Sequence, residues 1–181
     1  MNIYCAIHTA LKAHDKQVRK LDNDLYIAHP LEVGLELAKH GFSDALIIAG
    51  LLHDTLEDTP LTQTEIEELF GEEVARYVDF CSERNKTDSW KTRKINYIEH
   101  LKNAPLEVLY IVCVDKLTNI KSIYRNLETQ GSIIWHKFNA GYEDQKWYYH
   151  AILDLLKPIE SHPLYEQLNT YVQKIFHPES L

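Results

Sequence analysis

Four side chains that can bind a metal ion or move a proton follow directly after the most apolar segment of the chain. Residues 45–52 carry no polar side chain, and the next two helical turns contain His53, Asp54, Glu57 and Asp58. Positions i and i+4 of a helix share one face, so these residues would form two neighbouring polar stripes. Charges at the end of a buried helix need compensation, which a divalent cation provides, and imidazole and carboxylate ligands suit manganese, iron or zinc. The alternative is a helix end that emerges into water.

A further carboxylate occurs in a second strongly apolar segment, residues 105–117. A helical stripe that changes from apolar to polar contains Val108, Val112, Asp115, Asn119 and Ser122. A carboxylate followed one and two turns later by an amide and a hydroxyl is more typical of a pocket wall than of a core. The alternative is a structural aspartate that is capped or ion-paired. Beside the cluster that begins at His53, the pocket interpretation is favoured.

His29 completes the set of candidate metal ligands. It directly precedes Pro30, which fits the first position of a helix, so we expect His29 to point inward from a constrained turn. Two neutral nitrogens and two carboxylates would then come from His29, His53, Asp54 and Asp115. Their two negative charges match those of a divalent ion. Such a set leaves coordination positions for water and substrate, as a hydrolytic metal centre requires.

Helices are predicted to position these residues. The chain has six Gly and six Pro among 181 residues, fewer turn formers than an all-β fold usually needs. Apolar spacing and capping residues predict helices over residues 2–20, 30–40, 44–58, 72–82, 89–103, 105–127, 133–157 and 164–175, with a further short helix that ends at Gly71. Ser43 is the expected N-cap of the third helix. Because no repeat, low-complexity tract or interdomain linker occurs, we predict one all-α domain over residues 1–181.

Composition argues against several other classes of protein. The 19 Lys and Arg residues against 27 Asp and Glu give a net charge of −8, which disfavours a broad nucleic-acid-binding surface. No apolar run approaches the ~20 residues that span a bilayer, and residues 1–10 lack the order of a signal peptide. Cys5, Cys81 and Cys113 are odd in number and far apart, which argues against a disulfide framework. We therefore expect a cytoplasmic protein whose partners include neither a membrane nor a nucleic acid polymer.

Five motifs occur in order over residues 13–125. They are Ala13-His14 with Gln17 and Arg19-Lys20; Tyr26-Ile27-Ala28-His29-Pro30; Leu51-Leu52-His53-Asp54 with Glu57-Asp58-Thr59; Phe70-Gly71 with Val74-Ala75; and Asp115-Lys116-Leu117 with Asn119. This ordered set resembles the HD-domain metal-dependent phosphohydrolases. Within that family it is most similar to the (p)ppGpp 3′-pyrophosphohydrolase domain of RelA/SpoT-type proteins and their small stand-alone homologues.

The resemblance implies roles for individual residues. The metal ligands that it implies are His29, His53, Asp54 and Asp115. The acidic pair that activates or positions the attacking water corresponds to Glu57 and Asp58. The positions that contact the base, ribose or phosphates of a nucleotide correspond to Arg19, Lys20, Asn119 and Ser122. The implied cofactor is one divalent ion, typically manganese, with iron, zinc, cobalt and nickel as alternatives.

The implied fold is a single all-α HD bundle of about eight to nine helices, with a motif-bearing core over residues 2–127 and C-terminal helices over 133–175. The implied reaction uses activated water to remove pyrophosphate from guanosine 3′,5′-bis(diphosphate). Two alternatives stay open: an HD-type phosphatase that acts on another nucleotide or phosphomonoester, and a non-catalytic nucleotide-binding module. Such a module predicts the loss of a metal ligand or of the acidic pair, and all six residues are present.

Some segments differ from the usual pattern of the family. The turn from Lys20 to Tyr26 is one residue longer and lacks a Ser-Gly pair, and Phe80–Lys86 replaces the usual Gly-Val-Thr-Lys. The segment Trp135–Tyr149 also differs, and its aromatic residues, which include Phe138 and Trp147–Tyr149, either stack on a nucleotide base or, as we favour, pack between helices. These differences leave the metal-binding motifs intact.

Overall fold

Helices account for all the regular secondary structure in the part of the chain that the structure describes. This computed structural model describes residues 2–19, 21, 23–83 and 85–177. The α-helices are α1 (Ile3–Ala13), α2 (Ala28–Lys39), α3 (Asp44–Leu52), α4 (Thr55–Asp58), α5 (Gln63–Phe70), α6 (Glu72–Cys81), α7 (Trp90–Leu101), α8 (Leu106–Gln130), α9 (Tyr142–Leu155) and α10 (Pro163–Phe176). Two 3₁₀ helices cover Gly131–Lys137 and Lys157–Ile159. All of the described α-helices except α4 have eight or more residues, so the predicted all-α class is confirmed.

Local sequence signals explain where several helices begin and end. Ser43 Oγ accepts a hydrogen bond of 3.3 Å from the N–H of Leu46, so the predicted N-cap of α3 is confirmed. Thr62 and Glu65 form a capping box at the start of α5, in which each side chain accepts a hydrogen bond from the main-chain N–H of the other. Gly71 ends α5 with a φ of 91°, a backbone conformation that favours glycine.

The predicted end of the first helix and the predicted start of the second are wrong. α1 ends at Ala13 instead of residue 20, because Lys16 has a φ of 63° and a left-handed residue cannot continue a right-handed helix. Beyond α1, the main chains of Val18 and Leu25 form an isolated antiparallel bridge. α2 begins at Ala28, so His29 lies inside its first turn and not in a turn before it.

The helix predicted over residues 44–58 is divided into α3 and α4. His53 and Asp54 occupy the junction, where the dihedral angles stay close to helical values but the regular α-helix is interrupted. The N–H of Asp58 still donates to the carbonyl oxygen of Asp54 over 2.9 Å. The helical spacing of the polar side chains is therefore largely kept across the junction.

The helix predicted over residues 133–157 is wrong in its first part. Gly131 ends α8 with a φ of 66°, and a 3₁₀ helix follows as far as Lys137. An irregular connection then runs to Gly141, and α9 begins at Tyr142. Ile134 is fully buried in the 3₁₀ helix. The apolar residues of this segment therefore contribute to the core without forming one continuous α-helix.

α3 lies inside the bundle and leads directly to the candidate metal ligands. Every residue from Ala45 to Leu52 is buried, and α3 packs against α1, α2, α6 and α8. One contiguous apolar core extends from Ala6 in α1 to Phe176 in α10. Because α3 is covered by its neighbours, His53 remains buried where the helix ends, with only 2% of its surface exposed.

α8 is the longest described helix, with 25 residues, and it brings polar groups into the core. Its buried residues are apolar as far as Val114 and then include Asp115, Thr118, Ser122 and Asn126. This change of character predicts an internal polar site beside the C-terminal end of α3. Within the described residues, no helix combines the length and the apolar character that crossing a membrane would need.

α2 and α3 approach each other closely at two glycines. A Cβ atom on Gly34 would lie 2.6 Å from Cγ of Leu51. A Cβ atom on Gly50 would lie 2.4 Å from Cδ1 of Leu37. Both distances are shorter than carbon atoms tolerate, so the two helices depend on glycine at these positions to pack at their observed separation.

Gly34→Val is expected to lower the free energy of unfolding by about 1–3 kcal/mol, because the new side chain overpacks the contact between α2 and α3. Denaturant unfolding followed by circular dichroism measures this change. Leu35→Val is the matched control, because Leu35 lies on the same helix as Gly34 and is 70% exposed. An equal loss of stability in the two variants would contradict the close-packing explanation.

Candidate metal centre and active site

Four side chains from three parts of the chain meet inside the bundle. His29 Nε2, from α2, lies 3.1 Å from Asp115 Oδ1 and 3.6 Å from Asp54 Oδ2. His53 Nε2 lies 3.1 Å from Asp54 Oδ2 and 3.7 Å from Asp115 Oδ1. The two imidazoles and the two carboxylates therefore alternate around one small space. His29, His53 and Asp115 have ligand atoms that all lie within 4.8 Å of one another and could hold a metal ion. We call these three residues and Asp54 the metal cluster, after the role predicted for them.

Groups behind the two imidazoles fix which ring nitrogen faces this space. His53 Nδ1 lies 2.8 Å from the carbonyl oxygen of Gly50, which can only accept, so Nδ1 carries the hydrogen. Thr118 Oγ1 donates to the carbonyl oxygen of Asp115 and, 3.1 Å from His29 Nδ1, accepts from that ring. When the rings are neutral, Nε2 of each presents its lone pair to this space. Outer hydrogen bonds of this kind orient histidine ligands in metal sites.

The charges of the metal cluster favour a cation at its centre. His53 Nε2 has no well-aligned hydrogen-bond partner among the described residues, although it is buried. Burial alone would lower the pKa of His53, but Asp54 and Asp115 raise it well above its ordinary value. Burial likewise opposes ionisation of Asp54, yet His53 and His29 hold its pKa below the ordinary range. The site therefore stabilises positive charge, and a divalent ion fits this donor set.

Further polar side chains orient the two carboxylates of the metal cluster. The hydroxyl of Tyr26 donates a hydrogen bond to Asp54 Oδ2. Burial and the charge of Asp54 raise the pKa of Tyr26, so its phenol keeps the proton that it donates. Lys116 Nζ lies 2.6 Å from Asp115 Oδ2, and Asn119 Nδ2 donates to Asp115 Oδ1 over 2.6 Å. These contacts hold both carboxylates in their orientation toward the histidines.

The acidic pair lies beside the metal cluster in α4. Glu57 Oε2 accepts a hydrogen bond of 3.1 Å from the N–H of Glu83. Burial, and then the negative charges of Glu83, Asp58 and Asp54, raise the pKa of Glu57 to about 7. Asp58 is more exposed, and its Oδ1 lies 2.7 Å from Lys86 Nζ. A mostly buried carboxyl with a pKa near neutrality suits a proton acceptor, so that role fits Glu57 better than Asp58.

Two cavities meet at the metal cluster. The acidic cavity has a volume of about 160 Å³, and its wall contains Asp54, Glu57, Asp58 and Asp115. The aromatic cavity has a volume of about 340 Å³, and its wall includes Trp90, Phe138, Tyr148 and Tyr149. The residues that line both cavities are Tyr26, Lys94, Lys116 and Asn119. The aromatic cavity is within the ~300–1,000 Å³ range of small-molecule sites.

The structure brings two of the predicted nucleotide-binding residues to the aromatic cavity. Arg19 Nη2 donates to Asn119 Oδ1 over 3.1 Å, and Asn119 in turn donates to Asp115. Hydrogen bonds therefore connect the wall of this cavity to the metal cluster. Ser122 is fully buried in α8 and does not line either cavity. Lys20 lies outside the described residues.

Several residues at the site received no role from sequence reasoning. Tyr26 belongs to one of the recognised motifs, and its place three residues before His29 is a signal that could have identified it. Glu83 and Lys94 belong to no motif. The main chain of Glu83, which follows α6, reaches Glu57 in α4, and Lys94, on α7, donates to the side chain of Glu83. The predicted packing of the C-terminal aromatic residues agrees with their burial, yet Tyr148 and Tyr149 also line the aromatic cavity.

Sequence comparisons are consistent with this site. A family model described as an HD domain matches residues 6–142, more than half of the chain. A guanosine-3′,5′-bis(diphosphate) 3′-pyrophosphohydrolase of Aquifex aeolicus is 39% identical over 122 residues, a match that covers 66% of this chain and 17% of that enzyme. An enzyme of the same name from Spiroplasma citri is 36% identical over 126 residues, which cover 65% of this chain and 16% of that enzyme. The chain thus spans only a small part of the length of these relatives.

Two solved structures resemble most or nearly all of the bundle. A protein of Listeria monocytogenes EGD-e is 38% identical with a TM-score of 0.75, and the match covers 82% of this chain and 98% of that chain. A metazoan ortholog of SpoT that hydrolyses ppGpp has a TM-score of 0.76 at 23% identity, with 99% of this chain and 96% of that chain covered. At this low identity the second likeness bears on the fold alone. It nevertheless extends over the C-terminal helices as well as the motif-bearing part.

Proposed function

This chain belongs to the HD-domain family, and on that premise we propose that it is a metal-dependent phosphohydrolase that removes pyrophosphate from the 3′ position of guanosine 3′,5′-bis(diphosphate). The observation that carries the proposal is the closed arrangement of the metal cluster, with two imidazole nitrogens facing two carboxylates. The names of the Aquifex and Spiroplasma relatives support the choice of substrate.

The metal cluster is proposed to hold one divalent cation through His29, His53, Asp54 and Asp115. When bound, the cation supplies Lewis-acid activation of water and of a phosphoryl oxygen. The histidines would bind through Nε2, because their Nδ1 atoms are held by Thr118 and by the carbonyl group of Gly50. The proposal includes manganese as the ion, since manganese accepts carboxylate together with imidazole ligands. Iron, zinc, cobalt or nickel would be identified by elemental analysis of the purified protein.

Glu57 is proposed to take the proton of the attacking water. Its Oε2 is already engaged by the N–H of Glu83, so Oε1 is the oxygen that is left to accept that proton. The raised pKa makes this carboxylate a stronger base than an exposed glutamate. As the water oxygen bonds to phosphorus, the bond from that phosphorus to the 3′-oxygen breaks. The 3′-oxygen takes up a proton and becomes a hydroxyl group, and pyrophosphate is released. Asp58 is proposed to orient the water.

The two cavities suggest how the nucleotide is oriented. The reacting phosphate would lie in the acidic cavity, against the metal cluster, and the nucleoside would lie in the aromatic cavity. Lys94 and Lys116 line both cavities and can balance phosphate charge between them. Arg19 offers a planar group that stacks on a base or binds phosphate with two hydrogen bonds. The ring of Tyr148 offers an apolar face of the kind on which a base can stack.

A cytoplasmic location is part of the same proposal. All three cysteines, Cys5, Cys81 and Cys113, are free thiols. Free thiols are typical of proteins in a reducing compartment. Fractionation of cells, followed by detection of the protein, tests this location.

The substrate proposal predicts that a nucleotide with a 3′-diphosphate is hydrolysed with the highest kcat/KM. Manganese-loaded protein is incubated with guanosine 3′,5′-bis(diphosphate), with 5′-nucleotides and with sugar phosphates at equal concentration, and the products are separated by anion exchange. Pyrophosphate should appear with the first substrate. A higher kcat/KM for a phosphate without a nucleoside would overturn the choice of substrate and leave the metal chemistry standing. Absence of turnover for the whole panel would overturn the proposed activity.

A further inference from the structure

Arg93, on α7, lies between the carboxylates of Glu83 and Glu57. It is closer to Glu83, which has no role in the proposed chemistry. The Nη1 atom of Arg93 is 3.1 Å from Glu83 Oε2 and 4.0 Å from Glu57 Oε1. Lys94, the next residue, pairs with the other oxygen of Glu83. Both oxygens of Glu83 therefore face cations, whereas Glu57 has Arg93 only at the outer limit of an ion pair.

These ion pairs form in a nearly enclosed region. The side chains of Glu83, Lys94 and Arg93 are 7%, 15% and 17% exposed. In such surroundings charges interact more strongly than at the surface, and salt screens them less. A buried cation that loses its partner is destabilised, so it moves toward another carboxylate within reach. For Arg93 that carboxylate is Glu57.

We propose that Glu83 is a positioning residue that holds Arg93 away from Glu57, so that the carboxylate of Glu57 forms no close ion pair with Arg93 and stays able to accept a proton. The inference rests on the proposed role of Glu57 and extends it to the segment Phe80–Lys86, which differs from the usual pattern of the family. Glu83 acts in two ways. Its main-chain N–H donates to Glu57 Oε2 over 3.1 Å, and its side chain binds the neighbouring cations.

Among the residues that the structure describes, the other charged groups around Glu57 do not replace this action. Its negative neighbours in the same segment are Asp54 and Asp58. Lys86, from the loop before α7, is paired with Asp58 over 2.7 Å. Lys116, from α8, is paired with Asp115 over 2.6 Å. Each of these lysines has its own carboxylate, so the state of Glu57 depends on which carboxylate Arg93 binds.

Glu83→Gln is expected to release Arg93 toward Glu57. The glutamine keeps the size of the side chain and the main-chain N–H, but not the charge that holds the cation. A carboxylate in a close ion pair is a weaker base. We expect kcat to fall about tenfold, a part of the 10²–10⁴-fold contribution of a general base. The affinity for manganese is expected to stay at the wild-type value, because the metal cluster is unchanged.

A double-mutant cycle of Glu83→Gln and Arg93→Gln in the full chain tests the inference, with kcat and KM measured on manganese-loaded protein. The double variant lacks both the carboxylate of Glu83 and the cation that lies 4.0 Å from Glu57, whereas Lys94 loses its partner in both variants. The kcat of the double variant is therefore expected to exceed that of Glu83→Gln. A double variant no more active than Glu83→Gln would overturn the inference and indicate a structural role. Glu99→Gln is the matched control, because it removes the same charge from α7, the helix that carries Arg93. Glu99 is 61% exposed and pairs with Lys102.

A second comparison serves if Glu83→Gln alone does not fold. In a protein without Arg93, the carboxylate of Glu83 no longer keeps that cation away from Glu57. Arg93→Gln and the double variant are therefore expected to have equal kcat. A large further loss of kcat in the double variant would overturn the inference.

A crystal structure of Glu83→Gln, or of Glu83→Ala if needed, separates this inference from the proposed function. The distance from Arg93 Nη1 to Glu57 Oε1 is expected to fall below the present 4.0 Å. An unchanged distance would overturn the inference, whatever the activity. If the wild-type protein hydrolyses no nucleotide, the proposed function fails, and this distance alone decides whether Glu83 holds Arg93.

Discussion

Glu57→Gln is expected to keep the divalent cation and to lose most of the turnover. Glu57 is not part of the metal cluster, so the affinity for the ion should change little. The amide cannot accept a proton from water, and the loss of a general base lowers kcat by about 10²–10⁴-fold. Steady-state kinetics on manganese-loaded protein measure the loss of turnover, and elemental analysis of the same samples measures the metal content.

The matched control for this change is Glu68→Gln, on the exposed side of α5. It removes the same charge from the protein without touching the site, so both kcat and metal content should stay at wild-type values. Turnover of Glu57→Gln at the wild-type rate would show that the assigned role is wrong. Loss of the metal together with activity would instead place Glu57 among the ligands.

The pKa of Glu57 leads to a prediction of how kcat depends on pH. Burial and the neighbouring carboxylates raise the pKa of Glu57 to about 7. The ionised form accepts the proton, so kcat should fall as the pH is lowered through this pKa. A divalent cation beside Asp54 favours the ionised form, so the decrease in the metal-loaded protein is expected at or below pH 7. The residual activity of Glu57→Gln should lack this decrease. Its persistence would assign the pH dependence to another group.

Asp115→Ala is expected to lose the metal and the activity together. The change removes one of the two negative charges of the metal cluster and an oxygen that lies 3.1 Å from His29 Nε2. Loss of an outer residue of a metal site already lowers affinity by about 10–100-fold, so the loss of a ligand should exceed that. Elemental analysis after dialysis gives the metal content, and kcat is measured with and without added manganese.

Two comparisons make this result interpretable. Asp115→Ala also leaves Lys116 Nζ without the carboxylate that now lies 2.6 Å away, so circular dichroism must show that the variant is folded. Asp154→Ala, at a site on α9 where the side chain is 72% exposed, should keep both metal and activity. A folded Asp115→Ala protein that retains one metal ion per chain would exclude Asp115 as a ligand.

Much of the candidate site can be predicted from the sequence because its residues lie in local patterns. His53 and Asp54 follow the most apolar segment, and Asp115 interrupts another. Periodicity indicates that both segments are buried, and buried charges require compensation, so these residues stand out without any knowledge of their neighbours. The start of α3 and the last residue of α5 can be predicted for a similar reason, because Ser43 and Gly71 act on backbone groups only a few residues away.

The other features of the candidate site depend on contacts between residues that are far apart in the chain. His29 Nδ1 is oriented by Thr118, which is 89 positions away. The N–H of Glu83 reaches Glu57 only because the loop between α6 and α7 packs against α4. Helical spacing places Ser122 on the same stripe as Asp115, yet it is fully buried and lines neither cavity. Spacing along a helix defines which residues share a face, but the packing of the other helices decides what covers that face.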